Sequence, residues 1–179
     1  IFLYGMGSHY DVPTFEYDPT GEYDRSNENV SHGIHSSELF ANTAIDFIKG
    51  YDRDEPFYLN VGFTSPHDPR DAPEEYDAMY NKDEIPLPAN FKEPDFDQGH
   101  NRIRDETLAA FPRDEDEIKQ HIADYYAMIT HQNKCMGDII DALKDKGILE
   151  NTIIIYTADH GLAVGQHGLM GKQNMYEHS

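Results

Sequence analysis

Cationic side chains, cysteine and long apolar runs are all scarce in this sequence, and each scarcity argues against a class of protein. The chain holds 14 Lys and Arg against 34 Asp and Glu, which gives a formal net charge of −20. Nucleic acid and anionic lipid are therefore not expected as partners, because phosphate contacts need clustered Lys and Arg. Cys135 is the single cysteine, so no disulfide can form within the chain. No apolar run reaches the length that a membrane-spanning helix requires.

Three well-known binding motifs are also missing. The sequence has no P-loop, no dinucleotide-binding glycine fingerprint and no Gly-x-Ser-x-Gly turn. Nucleotide binding and serine acyl transfer are therefore without support. The chain begins at Ile1 without an initiator methionine, and it supplies fewer strands than a parallel sheet usually has. We therefore expect residues 1–179 to be an internal part of one larger domain.

The stretch from 152 to 177 carries the clearest functional pattern. Residues Ile153 to Tyr156 form a short apolar run that ends in Thr157 and Ala158, followed by Asp159, His160 and a glycine. Such a run is typical of a buried strand in a parallel sheet. Ligands of open α/β sheets bind beyond the carboxyl ends of the strands. The sequence therefore predicts that Asp159 and His160 lie in a functional site.

A second strand is predicted from Pro56 to Thr64, and His67 follows it between two prolines. Prolines restrict the backbone on both sides, so the imidazole is fixed just beyond a strand end. If both strands are parallel, His67 reaches the same edge of the sheet as Asp159 and His160. The structural alternative, a capping histidine, stays open at this point.

Two amphipathic helices accompany these strands. The first runs from Ser36 or Ser37 to Lys49, with a serine suited to cap its start and Gly50 to end it. The second runs from about Asp114 to Lys146. A helix between parallel strands is the usual crossover unit, so we predict an α/β fold with a mainly parallel sheet flanked by helices. Residues 1–36 and 83–113 lack a sustained period and are predicted as loops, the latter as a surface insertion.

The side chains that follow the 153–156 run suggest a metal and an anionic ester. Asp159 offers oxygens to a hard divalent cation and His160 a nitrogen, although two adjacent ligands cannot complete a cation's shell. Lys172 can bind an ester oxygen or protonate a leaving group, and His167 can do the same. The structural interpretation, in which Asp159 caps a turn and His160 packs, also remains open.

The motifs in combination resemble the type I sulfatases of the alkaline phosphatase-like superfamily. The sequence TADHG followed by GQHGLMGKQNMYEHS is similar to the second signature region of that family. The segment PFYLNVGFTSPHDPRDAPEEY is similar to its strand-and-histidine segment, and the passage from the long helix into TADHG matches in order and spacing. The resemblance covers residues 36–80 and 118–179.

The resemblance implies a role for most of the candidate residues. Asp159 and His160 would be two ligands of one calcium ion whose remaining ligands lie outside this chain. The family often has asparagine where His160 stands. Lys172 would bind the sulfate and the ester oxygen, and His67 would contact the sulfate or protonate the leaving alcohol. His167 is predicted to contact the substrate from its place in the sequence near Lys172, and not from the resemblance.

The resemblance also implies a nucleophile that the sequence does not contain. These enzymes convert Cys or Ser of a Cys/Ser-x-Pro/Ala-x-Arg motif to formylglycine, and no such motif occurs here. Cys135 is followed by Met136-Gly137-Asp138-Ile139, which lacks both the proline and the arginine. By resemblance, the nucleophile and a pair of metal-binding aspartates would lie upstream of Ile1. The isolated chain is therefore expected to be inactive.

The implied substrate is a sulfated small molecule or polysaccharide, and the implied compartment is the periplasm, the exterior or the lysosome. Two alternatives remain. One is hydrolysis of phosphate or phosphonate esters on the same fold, with threonine or serine and two zinc ions instead of formylglycine. The other is an acidic calcium- or carbohydrate-binding module without catalysis, although no repeated Asp-rich calcium loop is present.

Overall fold

The computed structural model describes residues 2–3, 8–15, 28–92 and 103–178. The chain forms two compact units, each built from two separate stretches of sequence. Unit 1 comprises Ile1–Tyr76 and Ala127–Ile153, and unit 2 comprises Asp77–Tyr126 and Ile154–Ser179. Among the described residues, no helix combines the length and the apolar character that crossing a membrane would need.

Unit 1 contains a small antiparallel sheet in the region predicted to be loops. Its strands are β1 (Phe2–Leu3), β2 (Pro13–Phe15) and β3 (Glu28–Val30), in the order β1-β2-β3. The strands are two or three residues long, which is too short for an alternating sequence pattern to predict them.

The first predicted helix is confirmed as α1 (Ser36–Gly50), but its cap differs from the prediction. His35, not a serine, is the N-cap residue, and its side chain accepts a hydrogen bond from the Ser37 amide. Ile48 of α1 is completely buried and packs with Ala142 and Leu143 in the core of unit 1. A short helix, α2 (Glu74–Asp77), ends close to the boundary of this unit.

The long helix is confirmed as α3 (Glu115–Asp145), 31 residues without a break. At 1.5 Å per residue it is about 46 Å long. The Asp114 carboxylate accepts a hydrogen bond from the Glu117 amide at 2.9 Å, and acidic residues fill the first turn, where the helix dipole favours them. The helix begins in unit 2, where Ile118 and Ile122 enter the core with Ala109, Val164 and Met170.

The two predicted parallel strands are not paired in the described part of the chain, where every ladder is antiparallel. Residues 56–64 and 152–156 form no ladder. Ile153, Ile155 and Tyr156 are 90, 83 and 75% exposed, so the prediction that this run is buried is wrong for the chain as it stands. An apolar run becomes a buried strand only when neighbouring strands accept its backbone hydrogen bonds.

Four short 3₁₀ helices complete the regular structure of the described residues. They span Lys82–Glu84, Arg104–Leu108, Leu149–Asn151 and Gln166–Gly168. The first begins one residue before the predicted insertion at 83–113 and the second lies within it; residues 93–102 of the insertion lie outside the described residues. The second of them is not a solvated surface loop, because Asp105 and Glu106 are only 2 and 3% exposed.

Candidate functional site

A tight turn in unit 2 immediately precedes Lys172. Backbone hydrogen bonds join Ala163 N to Gly171 O at 3.0 Å and Gly165 N to Leu169 O at 2.7 Å. Gly165 has a φ of +98°, and a Cβ atom there would lie 2.6 Å from the Ile118 side chain. The turn (residues 163–171) is therefore packed against the first part of α3, and position 165 requires glycine.

The buried carboxylate of Glu106 fixes the end of this turn. Its oxygens accept hydrogen bonds from Met170 N at 2.9 and 3.1 Å and from Gly171 N at 2.9 Å. A carboxylate that receives backbone amides in this way forms charge-assisted hydrogen bonds, which are stronger than neutral ones. The backbone leading into Lys172 is therefore held from one side by a charged group.

Arg113 completes the arrangement. Its Nη2 donates to Glu106 Oε2 at 2.6 Å, its Nε donates to Gly168 O at 3.0 Å, and its Nη1 donates to the carbonyls of Glu106 and Ala109. The Arg113 side chain is 1% exposed and that of Glu106 3%. The two buried charges compensate each other, and both side chains contact the same turn. We call this ion pair the Glu106–Arg113 clamp.

The side chain of Lys172 points to a second buried acid. Its Nζ lies 3.4 Å from Asp105 Oδ2, and the lysine side chain is 16% exposed. Burial disfavours ionisation of Asp105, but the hydrogen bond from Arg104 and the charge of Lys172 outweigh burial and lower the pKa of this carboxyl. Asp105 therefore stays ionised and holds the ammonium group of Lys172 near the clamp.

His167 is fixed by contacts on both sides. It has a φ of +54°, which is uncommon for a residue with a Cβ and marks a position held by its surroundings. Its amide donates to Asn90 O at 3.2 Å, Asn90 Nδ2 lies 3.1 Å from His167 Nε2, and the imidazole stacks on Tyr176 with 3.9 Å between ring centroids. These contacts give His167 a defined orientation within unit 2.

Asp159 and His160 lie on an exposed segment of unit 2. Asp159 Oδ2 is 3.2 Å from His160 Nε2, and the aspartate side chain is 86% exposed. Among the residues that the structure describes, no group of three or more His, Cys, Asp or Glu side chains is arranged to hold a metal ion. Calcium prefers six to eight oxygen ligands, so this pair alone does not fit a complete calcium site.

His67, in unit 1, sits in a loop that other side chains hold in place. Its Nδ1 lies 2.8 Å from Asp68 O and 3.2 Å from Asp68 Oδ1. Its amide donates to Thr64 O at 2.9 Å, and its carbonyl oxygen is 2.8 Å from His9 Nε2. We call residues 64–71 the His67 loop. His67 was predicted to follow the end of a strand, but residues 56–64 form no ladder, and His67 lies in a partly buried, hydrogen-bonded loop.

The sequence did not predict the buried groups that hold Lys172. Asp105, Glu106 and Arg113 lie in a segment rich in charge and proline, which is typical of a solvated surface. The one signal that could have revealed them is the apolar run Leu108-Ala109-Ala110-Phe111 between the acids and the arginine. Such a run in a charged segment indicates burial of its neighbours.

Comparison with known proteins gives a consistent result. A family model described as "Sulfatase" matches residues 4–179. The chain is 30% identical over 175 residues to a multifunctional alkaline phosphatase superfamily protein, PehA, of Trinickia caryophylli, with 90% of this chain and 34% of that protein covered. It is 32% identical over 146 residues to an arylsulfatase of Clostridium perfringens, with 82% of this chain and 30% of that protein covered.

A solved structure supports the same likeness. The protein yidJ of Bacteroides fragilis, a structure assigned to the sulfatases, aligns with 97% of this chain and 34% of its own at 28% identity and a TM-score of 0.68. The mouse iduronate 2-sulfatase is 30% identical over 135 residues, covering 68% of this chain and 24% of that protein. The chain thus spans between about a quarter and a third of the length of these relatives.

Proposed function

The chain belongs to the sulfatase family, and we propose that it forms part of an enzyme that hydrolyses sulfate esters. One observation in this chain supports the proposal most directly. Lys172 follows a turn whose backbone is held by the Glu106–Arg113 clamp, and its ammonium group is directed by Asp105. A preorganised cation on a rigid backbone is what recognition of an anionic ester requires.

Three residues of the chain take roles at the substrate in this proposal. Lys172 binds the sulfate and the ester oxygen, so that its positive charge stabilises negative charge that develops as the S–O bond breaks. His67 contacts the sulfate or gives a proton to the departing alcohol oxygen. His167, oriented by Asn90 and Tyr176, contacts the remainder of the substrate.

Membership of the sulfatase family supports a metal cofactor in general. We propose that Asp159 and His160 supply two of the donors for a calcium ion, with the other donors outside the described residues. The carboxylate oxygen suits calcium and the imidazole suits it less well. When bound, such an ion would supply positive charge beside the ester. Because the two donors do not form a complete site, no step of the reaction is assigned to it.

The nucleophile is also assigned to a part of the enzyme that this sequence does not contain. No Cys/Ser-x-Pro/Ala-x-Arg motif occurs in the 179 residues. Cys135 is buried, and burial raises the pKa of its thiol to about 11. A thiol with so high a pKa is a poor nucleophile at neutral pH, so Cys135 has a packing role.

We propose that the substrate is a sulfated small molecule or polysaccharide and that the compartment is the periplasm, the exterior or the lysosome. The sulfated substrate is supported by relatives named as an iduronate 2-sulfatase and a choline-sulfatase. A second candidate reaction, hydrolysis of phosphate or phosphonate esters, is kept because one similar protein is named a multifunctional member of the alkaline phosphatase superfamily.

Binding of inorganic sulfate to the chain tests the proposal without requiring turnover. We expect titration calorimetry to show sulfate binding that Lys172→Ala weakens about tenfold, the effect of removing one charged contact. Lys134→Ala is the matched control, because Lys134 is exposed on α3 and pairs only locally with Asp138. Binding that is equally strong in both variants would contradict the proposal.

The same titration separates the alternatives. Inorganic phosphate bound at least as tightly as sulfate, with the same dependence on Lys172, would favour the phosphate-ester reaction. Calcium and sugar binding that survives both Lys172→Ala and His67→Ala would favour a non-catalytic binding module. Sulfate binding that is selective and depends on Lys172 supports the sulfatase.

A further inference from the structure

Three buried histidines lie side by side in unit 1, outside the residues assigned to the ester. His9, His35 and His131 are 3, 1 and 1% exposed. The rings of His9 and His35 are stacked with 5.1 Å between centroids and 9° between planes. The His131 ring meets His35 edge-on at 4.5 Å. Burial and the two neighbouring imidazoles lower the pKa of His35 to about 4, so a positive charge on this ring is disfavoured.

His35 uses both ring nitrogens, and its partners determine where the proton sits. Its Nε2 is 3.1 Å from the carbonyl oxygen of Asp71, which can only accept. Its Nδ1 receives the Ser37 amide at 3.1 Å, which can only donate. His35 is therefore a neutral imidazole with its proton on Nε2. The same ring thus caps α1 and holds the far end of the His67 loop.

His9 holds the loop at its centre. Its Nε2 donates to the carbonyl oxygen of His67 at 2.8 Å, and its Nδ1 is 3.2 Å from Ser36 Oγ. Ser36 Oγ is in turn 3.3 Å from Thr64 Oγ1, at the start of the loop. The backbone of His9 is fixed as well, because its carbonyl oxygen accepts from Ser36 N at 2.7 Å.

We propose that His9 and His35 are positioning residues, which fix the backbone that carries the His67 imidazole, at His67 itself and at Asp71. This inference rests on the proposed function, because positioning His67 matters for the reaction only if His67 acts on the ester. The two rings contact the loop at His67 O and Asp71 O, and both are anchored at the first residues of α1. Movement of His67 would therefore require breaking contacts to a helix terminus.

Titratable side chains on α1, α2 and α3 are packed around this pair. His131 faces His35 from α3, with Glu38 Oε1 3.3 Å and Cys135 Sγ 3.6 Å from its Nε2. Tyr10 meets His35 edge-on and Tyr76 lies against His131. Protonation of His35 would place a donor against the Ser37 amide, so the arrangement holds only while that ring is neutral.

Two substitutions at position 9 separate positioning from packing. Asparagine places its amide where Nδ1 was and keeps the contact to Ser36, whereas glutamine places its amide where Nε2 was and keeps the bond to His67. We expect hydrogen exchange of the His67 amide to be about tenfold faster in His9→Asn, since one buried hydrogen bond is lost. In His9→Gln the rate should remain within about twofold of that of the original chain.

Equal exchange rates in the Asn and Gln variants would overturn the inference. A second measurement on the unaltered chain does not depend on variants that fold: the nitrogen chemical shifts of His35 must show the proton on Nε2. A proton on Nδ1, or a charged ring at neutral pH, would also overturn it.

Sulfate binding distinguishes this inference from the proposed function. If the unaltered chain binds no sulfate, the proposed function fails while the exchange rates still decide whether His9 positions the loop. If sulfate binds with Lys172 dependence but the exchange rates of the two variants agree, the inference alone fails.

Discussion

Asp105 and Glu106 are neighbours in the sequence, and they contact the side chain of Lys172 and the backbone just before it, respectively. Asp105 faces the Lys172 ammonium group, and Glu106 receives the amides of the two residues before the lysine. Both acids are buried, and buried carboxylates are stable only when cations and donors surround them. Arg104, Arg113 and Lys172 supply the cations, so each of these two buried carboxylates of a strongly acidic chain has at least one positively charged partner.

Replacing Glu106 should show the energetic value of the clamp. Glu106→Gln keeps the shape of the side chain but leaves the buried Arg113 guanidinium without its counter-ion. We expect the free energy of unfolding to fall by about 3 kcal/mol, as for other broken buried ion pairs. Urea denaturation followed by circular dichroism measures the change.

The control for this variant is Glu150→Gln, at an exposed position. Its free energy of unfolding should stay within about 0.5 kcal/mol of the original. Equal losses in the two variants would mean that the Glu106–Arg113 pair contributes nothing beyond an ordinary surface charge.

At the scale of elements, the start of α1 makes stability depend on pH. Burial lowers the pKa of His35 from 6.5 to about 4, and His131 and His9 add to the effect. The unfolded chain therefore binds more protons than the folded one between these pH values. The contribution of neutral His35 to the free energy of unfolding is therefore fully present above pH 6.5, and it is lost as the pH falls to about 4.

We expect this loss to be on the order of 2 kcal/mol after allowing for solvent screening. Denaturation of the original chain and of His35→Asn at pH 7 and pH 4.5 tests it. Asparagine can still cap the helix but does not titrate, so the variant should lose less stability on acidification. The same loss in both proteins would show that other groups cause it.

For the exposed run at 153–156 we predict almost no change in the free energy of unfolding. Ile155→Thr should leave the free energy of unfolding within about 0.5 kcal/mol, because the side chain is 83% exposed. Ile48→Ala in α1 should cost about 3 kcal/mol, because Ile48 is completely buried. A large loss for Ile155→Thr in urea denaturation would mean that this run is packed in solution.

The sequence patterns predicted the helices correctly, because a helix makes its hydrogen bonds between residues that are near each other in sequence. The periods of α1 and α3 identify both helices to within about two residues at each end, since an amphipathic helix satisfies its own backbone hydrogen bonds. The runs at 56–64 and 152–156 were predicted as paired strands, and a strand depends on neighbours that are not next to it in sequence. The likeness to a solved sulfatase confirms the α/β class of the whole domain, whereas pairing in the described residues is antiparallel.

The residues of the candidate site could be predicted where a short sequence motif contains them. Lys172 and His67 stand out by their neighbours in sequence. The groups that hold them, Glu106 and His9, lie 66 and 58 residues away, and no periodic pattern connects residues across such distances. The assignment of Asp159 and His160 to calcium stays a prediction.

At the scale of the whole molecule, sulfatases use a nucleophile motif that these 179 residues do not contain. We expect the 179-residue chain to show no turnover of an aryl sulfate, because its sequence has no formylglycine motif. A colorimetric assay with 4-nitrophenyl sulfate measures this directly. Release of nitrophenol above the rate of a heat-treated sample would show that another group of the chain can attack sulfur.

The interleaving of the two units has a consequence for synthesis on the ribosome. Unit 1 needs residues 127–153, which emerge only after residues 77–126 of unit 2. At typical rates of about 5–20 residues per second, those 50 residues take roughly 3–10 s to make. During that interval the first 76 residues lack the part of α3 that carries His131, the ring that packs edge-on against His35. Unit 1 therefore cannot be completed before translation has passed residue 153.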